Sequence, residues 1–349
     1  MSNQDLERRH ESTLDPGLEH QPSGHEGEMP TASVGMASDE SVIDWLLAGD
    51  PAIRWQVMRD LLDEPAETWE RERRRVVERG WVASMLALRG PEGDEWPKGR
   101  WTSAPWTPVL LLACGLPDGH PGGRGPLERF FDRFMPAGAR VDAEYLLKRV
   151  DLCHLGLWLG LGAYFLQEDQ RLPALAETVL SAQLHDGGWN CRIRNDPRTR
   201  HGSFHTTFNV LENLRIAADR GIVPKHAFGA AEARALEFML QHRLYRSDHT
   251  GEVISDRFTL LTYPWHWHYT VLRGLDYMRL TPAIGDERLT DPIEMLQRQR
   301  KPNGRWPLQT RIPGKLLVEM EKPGRDSRWN TLRALRVLRS AEASRRLLG

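Results

Sequence analysis

Apolar residues recur along this chain in one fixed pattern: an aromatic residue, an apolar residue three positions later and, in most copies, a leucine three positions after that. Five copies are complete, and they begin at Trp55, Trp106, Phe208, Tyr269 and Trp329. A weaker copy begins at Trp158 and ends on Tyr164. Apolar residues at this spacing fall on one face of a helix. Each copy therefore predicts a helix with one buried face.

The first positions of the six copies follow one another at intervals of 50 to 61 residues. A period of that length is typical of repeat architectures. Each interval leaves room for one more helix, so each repeat predicts a helical hairpin. Six hairpins can close into a ring with the recurring helices inside and the intervening helices outside. The predicted fold is all-α, an α/α toroid.

A tight turn separates two of the predicted helices. Gly187 and Gly188 end one helix and are followed by Trp189, and the next helix opens on His205. Glycine is the usual residue where a helix ends in a left-handed conformation. A near-copy of the turn runs from Gln299 through Gly304 to Trp306.

Residues 1–39 lack the apolar period and consist largely of Glu, Ser, His, Gly and Pro. Such a segment cannot bury enough apolar surface to offset the entropy lost on ordering. We predict a disordered tail at 1–39, a first helix from Ser41 and a toroid domain over 40–349.

The overall composition bounds the class of protein. With 349 residues and 40% hydrophobic residues, the chain can bury one closed ring or two ordinary domains. A formal charge of −1 gives no indication of nucleic acid or of an anionic membrane as partner. Cys114, Cys153 and Cys191 are too few and too scattered for a disulfide framework. With no apolar leader and no run long enough to span a bilayer, we predict a cytoplasmic protein without a transmembrane segment.

Several recurring helices begin with polar residues, among them His154, His266 and His268. In a ring of parallel inner helices these starts share one rim, where the positive helix ends favour an anionic group. We predict the three histidines as catalytic acid or base groups. The 13 tryptophans fill the core or line an apolar, cation-stabilising cavity. The predicted substrate-binding residues are Trp106, Trp189, Arg192, Arg194, Trp265 and Trp267, with Arg198 and Arg200 as further candidates by position.

The two Gln-Gly-Trp turns, the His-Thr-Thr start at His205 and the Trp-Asn-Thr start at Trp329 resemble the squalene cyclase and protein prenyltransferase β-subunit superfamily. The resemblance covers residues 41–340. The tract from Met320 onward looks like the ending of bacterial stand-alone members called prenyltransferase/squalene-oxidase repeat proteins. The resemblance implies an α/α toroid, but one fold supports many chemistries.

The resemblance implies two possible chemistries. Squalene cyclases protonate their substrate through an Asp-x-Asp-Asp segment, which this chain lacks, and Asp142, Glu144 or Asp151 alone would be weak substitutes. Protein prenyltransferases hold zinc with an Asp-x-Cys and a later histidine. The matching residues here are Asp151, Cys153 and His205, whereas Cys191 is interpreted as structural. Inert burial of the cysteine and simple helix capping by the histidine are the alternatives.

These patterns lead to two hypotheses about function. The first is an enzyme that acts on an isoprenoid or other apolar small molecule in the central cavity, with zinc at the rim. The second is a non-catalytic toroid that binds a lipid or a peptide. Known protein prenyltransferases use a second subunit, which this sequence allows but does not indicate.

Overall fold

A computed structural model describes residues 39–89, 96, 101–102, 105–136 and 142–348. Within these ranges every regular element is a helix, and β pairing is limited to isolated bridges. The all-α prediction is confirmed. Residues 1–38 of the predicted tail lie outside the described residues, as does most of the loop before Trp101. The first helix begins at Asp39, two residues before the predicted start.

Fourteen α-helices are described, and six of them carry or directly follow the recurring aromatic positions: α2, α5, α8, α10, α12 and α14. The helices are α1 (Asp39–Leu47), α2 (Pro51–Asp60), α3 (Ala66–Arg74), α4 (Trp81–Ala87), α5 (Trp106–Cys114), α6 (Pro121–Phe134), α7 (Ala143–Arg149), α8 (Leu152–Phe165), α9 (Leu172–Ser181), α10 (Phe204–Asp219), α11 (Lys225–Gln241), α12 (Val271–Met278), α13 (Thr290–Arg298) and α14 (Arg328–Leu348). Short 3₁₀ segments lie at Arg75–Val77, Cys191–Arg194, Asp256–Thr259, Pro282–Gly285 and Glu287–Leu289.

The recurring apolar positions lie in the core. The sequence predicts burial of seven of them, and all seven are buried in the structure: Trp55, Phe208, Leu211, Tyr269, Leu272, Trp329 and Leu332. Their burial confirms the register of the repeat.

The two Gln-Gly-Trp turns make the same hydrogen bonds. The backbone N–H of Trp189 donates to Thr207 Oγ1 at 2.9 Å, and that of Trp306 donates to Thr331 Oγ1 at 3.0 Å. Each indole N–H donates to a carbonyl of the preceding helix, in α9 and α13 respectively. Gly187 and Gly304 have φ of +92° and +76°, where a side chain would strain the backbone. The repeat is therefore structural as well as sequential.

Helices α8 and α10 lie against each other at unusually close range. A Cβ at Gly160 of α8 would lie 2.0 Å from Asn213 Oδ1 of α10, and one at Gly156 would lie 3.0 Å from Val210 Cα. The absence of side chains at both glycines lets the two backbones approach. This contact brings together the starts of α8 and α10, where the candidate site lies.

Polar side chains connect other pairs of recurring helices. The indole N–H of Trp55 in α2 donates to Cys114 O in α5 at 3.0 Å. Glu212 and Asn209 of α10 accept hydrogen bonds from the buried Arg273 of α12.

The last helix contacts both α12 and α2. Arg333 Nε of α14 donates to Asp276 Oδ2 of α12 at 2.8 Å. Arg336 of the same helix donates to Asp276 Oδ2 at 2.8 Å and to Asp60 Oδ2 of α2 at 2.9 Å. Helix α14 therefore joins elements from opposite ends of the sequence. None of the described helices has the length and apolarity needed to cross a bilayer.

Candidate functional site

Tryptophan and histidine side chains from several helix starts form one continuous cluster. Its members, called the Trp/His cluster below, are Trp101, Trp106, His154, His205, His266, Trp267 and His268. Trp106, His154 and His205 come from the starts of α5, α8 and α10, Trp101 precedes α5, and the other three lie in the segment before α12. All four histidines predicted at the rim are in the cluster.

Trp101 lies at the middle of the Trp/His cluster. Its ring stacks on the His266 ring with centroids 4.2 Å apart and planes inclined by 7°. Trp106 meets it edge-on at 5.3 Å. The indole N–H donates to Pro313 O at 2.6 Å, and a Cβ on Gly314 would lie 2.3 Å from the ring. The chain at Pro313 and Gly314 thus lies directly on Trp101.

His266 has three unusual properties. Its φ of +48° is in the left-handed region, which costs energy for a residue with a side chain. Only 2% of the residue is exposed, and Nε2 has no hydrogen-bond partner in the described ranges. Burial, and secondarily the charge of His268, lowers the pKa of His266 to about 3. The imidazole is therefore neutral at physiological pH.

Helices α10 and α12 fix the segment that carries Trp267 and His268. Asn209 Nδ2 of α10 donates to Trp267 O at 2.7 Å, and Arg273 Nη1 of α12 donates to His268 O at 2.9 Å. The backbone N–H of Tyr269 donates to His205 Nδ1 at 2.8 Å. These bonds hold the half-buried rings of Trp267 and His205 at 4.9 Å from each other.

His154 joins the cluster from the first turn of α8. Its ring lies edge-on to Trp106 with centroids 5.4 Å apart, and the residue is half-buried. Burial lowers the pKa of His154, against an opposing effect of the Asp151 charge. A neutral His154 can accept a proton or a hydrogen bond from a bound molecule.

Cys153 and Cys191 lie side by side next to His154, and we call them the thiol pair. The backbone N–H of Cys153 donates to Cys191 Sγ at 3.2 Å, and Thr206 Oγ1 donates to the same sulfur at 3.3 Å. The neighbouring Cys153 thiol lowers the pKa of Cys191, against the effect of burial. The neighbouring Cys191 thiol, together with burial, raises the pKa of Cys153 well above its ordinary value.

The three residues predicted to hold zinc are not arranged as a metal site. In the described parts of the chain, no three or more His, Cys, Asp or Glu side chains are grouped as metal ligands. Asp151 Oδ1 accepts from Arg194 Nη1 at 3.0 Å. His205 Nδ1 accepts a backbone N–H, so in the neutral ring Nε2 carries the proton and lacks a free lone pair. Metal-bound histidines usually donate, not accept, through the second nitrogen. No zinc site is therefore seen among these three residues.

The predicted substrate-binding residues divide into two groups. Trp106 and Trp267 belong to the Trp/His cluster. Trp189 instead is fully buried within its turn, and Trp265 packs on the Arg333 guanidinium at 4.1 Å. Arg192 and Arg194 form ion pairs with Asp196 and Asp151. The structure does not bring these last four into the cluster.

Two features of the site were missed in the sequence. Trp101 stands at the end of a loop rich in Gly and Pro, outside the repeat pattern that singled out Trp106. Cys191 was interpreted as structural although it directly follows the turn that ends at Trp189 and Asn190. Its position opposite Cys153 depends on how closely α8 and α10 pack, which sequence spacing does not reveal.

Two surface clefts, of about 550 and 620 Å³, lie elsewhere on the described surface. The first is lined largely by ion-paired side chains, including Arg171 and Arg220. The second is an apolar groove along Phe130, Phe134 and Trp158. Neither contains a member of the Trp/His cluster. Comparison with known proteins adds no assignment, since no family model, curated protein or solved structure matches this chain.

Proposed function

We propose that the chain is an α/α toroid of the squalene cyclase and prenyltransferase β-subunit type. Six recurring helices support the proposal, as do the matching hydrogen bonds of the two Gln-Gly-Trp turns. The contact of α14 with α2 through Arg336 and Asp60 is the one that closure of a ring requires.

The Trp/His cluster in this proposal holds an apolar, isoprenoid-like molecule that carries one polar group. The observation that carries it is the buried Nε2 of His266, which lacks a partner within the described residues. An unsatisfied buried polar group costs about 1–3 kcal/mol. Together with the left-handed backbone, this is the kind of local cost that persists at binding sites. A hydroxyl or similar group of the ligand would satisfy Nε2.

Each part of the cluster has a distinct role in this proposal. The rings of Trp101, Trp106 and Trp267 offer apolar contact, and their faces favour positive charge on carbon. His266 is neutral at physiological pH because its pKa is about 3, so it acts as a hydrogen-bond partner and not as a cationic acid. Proton transfer to or from the ligand would involve His154 or His268.

Binding of an alcohol and of a hydrocarbon tests the role of His266. Farnesol has one hydroxyl, whereas squalene has no polar group. Because His266→Phe keeps an aromatic ring but removes the nitrogens, we expect farnesol to bind about tenfold more weakly, which corresponds to about 1.4 kcal/mol. Squalene binding should be unchanged. Tryptophan fluorescence titration measures both.

Matched tryptophan variants test the location of the ligand. Trp106→Leu should weaken binding of both molecules, whereas Trp69→Leu, a half-buried tryptophan packed on Trp55, should not. Failure of both ligands to bind the wild-type protein, or equal effects of the two variants, would overturn the proposal. Conversion of farnesyl or squalene substrates, followed by mass spectrometry, separates an enzyme from a non-catalytic lipid-binding toroid. Zinc titration during the same assay tests the predicted metal.

A further inference from the structure

The thiol pair is placed for reversible oxidation. We propose that Cys191 is a peroxide-reactive thiol and that Cys153 resolves its oxidised form to an intramolecular disulfide. The inference is independent of the isoprenoid ligand, because it uses neither a tryptophan nor a histidine of the Trp/His cluster.

The sulfur of Cys191 occupies the position of a helix cap. Asp151 precedes the first turn of α8, but its side chain makes no capping hydrogen bond and binds Arg194 instead. The backbone N–H of Cys153, the second residue of the helix, donates to Cys191 Sγ. A capping carboxylate or hydroxyl normally accepts from this position. The sulfur therefore faces the positive end of a 14-residue helix, a location that favours a thiolate.

One side-chain donor adds to the backbone donor around the same sulfur. Thr206 Oγ1 donates to Cys191 Sγ at 3.3 Å. The Thr206 hydroxyl also accepts from the Cys191 backbone N–H at 3.2 Å, so its orientation is fixed. Two donors aimed at one sulfur stabilise its negative charge and so raise the fraction of nucleophilic thiolate.

The second thiol lies within bonding reach of the first. Because N and Cα of one residue are about 1.46 Å apart, Cys153 Cα lies within about 4.7 Å of Cys191 Sγ. Both residues are half-buried. Cys114, the other cysteine, is fully buried in α5 and provides an internal control.

The chemistry consumes one hydroperoxide for each disulfide. The Cys191 thiolate attacks one peroxide oxygen, so that an S–O bond forms, the O–O bond breaks and hydroxide leaves. The Cys153 sulfur then attacks the sulfenic sulfur, so that the S–S bond forms and the S–O bond breaks. The two thiol protons end in water. In balance, two thiols and one hydrogen peroxide give one disulfide and two waters.

Thiol counting on the intact wild-type protein is the first test. Treatment with hydrogen peroxide followed by titration in denaturant should lower the free thiols from three to one. Peptide mapping should find Cys153 joined to Cys191, and dithiothreitol should restore all three thiols. Three remaining thiols, a disulfide-linked dimer or a bond to Cys114 would overturn the proposal.

Variants assign the two roles. In Cys153→Ala, dimedone should label Cys191, because the sulfenic acid has no resolving thiol. In Cys191→Ala, Cys153 should stay unlabelled at the same peroxide concentration. Thr206→Val should slow oxidation of the wild-type pair several-fold, whereas Thr178→Val, a buried threonine in α9, should not. Labelling of Cys153 but not of Cys191 would contradict the proposed order.

Discussion

Single side chains in the recurring positions contribute stability by filling the core. Leu211 and Leu332 are fully buried, and each lies three residues after a buried aromatic ring, Phe208 or Trp329. Interiors of this kind are packed about as densely as organic crystals, so a missing methyl group leaves a void. The effect of a substitution at these positions is therefore set by volume.

Truncation of Leu211 should destabilise the protein. We expect Leu211→Ala to lower the free energy of unfolding by about 2–5 kcal/mol, because the lost apolar burial adds to the cost of the cavity. Leu280→Ala removes the same atoms from a leucine that is 48% exposed, and it should cost far less. Urea denaturation of both variants measures the difference. Similar costs at the two positions would contradict the assigned register.

The repeat pattern predicted burial but could not assign partners. Trp106 and Trp189 were both predicted to bind substrate, Trp106 as the first residue of a repeat copy and Trp189 as the residue after the Gly-Gly turn. Trp106 lies in the Trp/His cluster, whereas Trp189 lies in a Gln-Gly-Trp turn and donates its indole N–H to Val179 O of α9. Cys191 and Cys153 are likewise 38 residues apart in the sequence, and the sequence did not predict the helix contact that brings them together. Side-chain partners of this kind are determined by tertiary packing, which a single sequence does not specify.

The Gln-Gly-Trp turns join an intervening helix to the recurring helix that follows. A threonine in that recurring helix, Thr207 or Thr331, accepts the backbone N–H of the turn tryptophan. The serine before the helix, Ser203 or Ser327, donates its own N–H to the tryptophan carbonyl at 2.8 Å. Each turn thus aligns two helices through buried backbone groups that have few alternative partners.

Removal of either threonine hydroxyl should weaken its turn. In Thr207→Val and Thr331→Val the tryptophan N–H loses its acceptor while the volume is kept, and we expect a cost of about 1–3 kcal/mol for each. Thr178→Val is the matched control, because this buried hydroxyl donates only to the carbonyl four residues back in its own helix. Thermal unfolding measures all three. If Thr178→Val destabilises the protein as much as Thr207→Val does, the hydrogen bond from the turn tryptophan to the threonine has no special role in stability.

At the scale of single elements, the sequence pattern predicted the positions of most recurring helices. Helix α2 begins at Pro51 after the capping residue Asp50, as the Asp-Pro pair predicts. The copy at Tyr269 is an exception, because α12 begins only at Val271. The backbone before it is used for other bonds, since the Tyr269 N–H donates to His205 Nδ1. A histidine 64 residues away decides that boundary, which local propensity cannot foresee.

At the scale of the whole molecule, buried charges connect the two ends of the sequence. Asp276 is buried among Arg333, Arg336 and Arg279, and Arg336 also binds Asp60. Burial alone raises the pKa of Asp276, but the three positive charges outweigh burial and hold the pKa well below its ordinary range. The folded protein therefore keeps this carboxylate ionised more firmly than the unfolded chain does.

This carboxylate predicts a dependence of stability on acid. A depressed folded pKa gives stability that is complete above about pH 4, the unfolded value, and is lost as pH falls through the folded pKa. Asp276→Asn should lower the free energy of unfolding by about 3–5 kcal/mol at pH 7, because the arginines lose their partner. The difference in free energy of unfolding between Asp276→Asn and the wild-type protein should become smaller below about pH 4. Denaturation at several pH values measures it.

An exposed ion pair supplies the control for this prediction. Asp63 binds Arg339 at the surface, so Asp63→Asn should cost less than about 1 kcal/mol at every pH. If the difference in free energy of unfolding between Asp276→Asn and wild type stays constant from pH 7 to pH 2, the destabilisation does not come from loss of the ionised carboxylate.

The contact of α14 with α2 also constrains the order of events during synthesis. Asp60 and Arg336 are 276 residues apart in the sequence. At a translation rate of about 5–20 residues per second, Arg336 is therefore synthesised roughly 14–55 s after Asp60. Throughout that time the first hairpin lacks the surface that covers it. A nascent chain in this state exposes apolar residues, and chaperones that bind such chains should associate with the early hairpins until the last helix emerges.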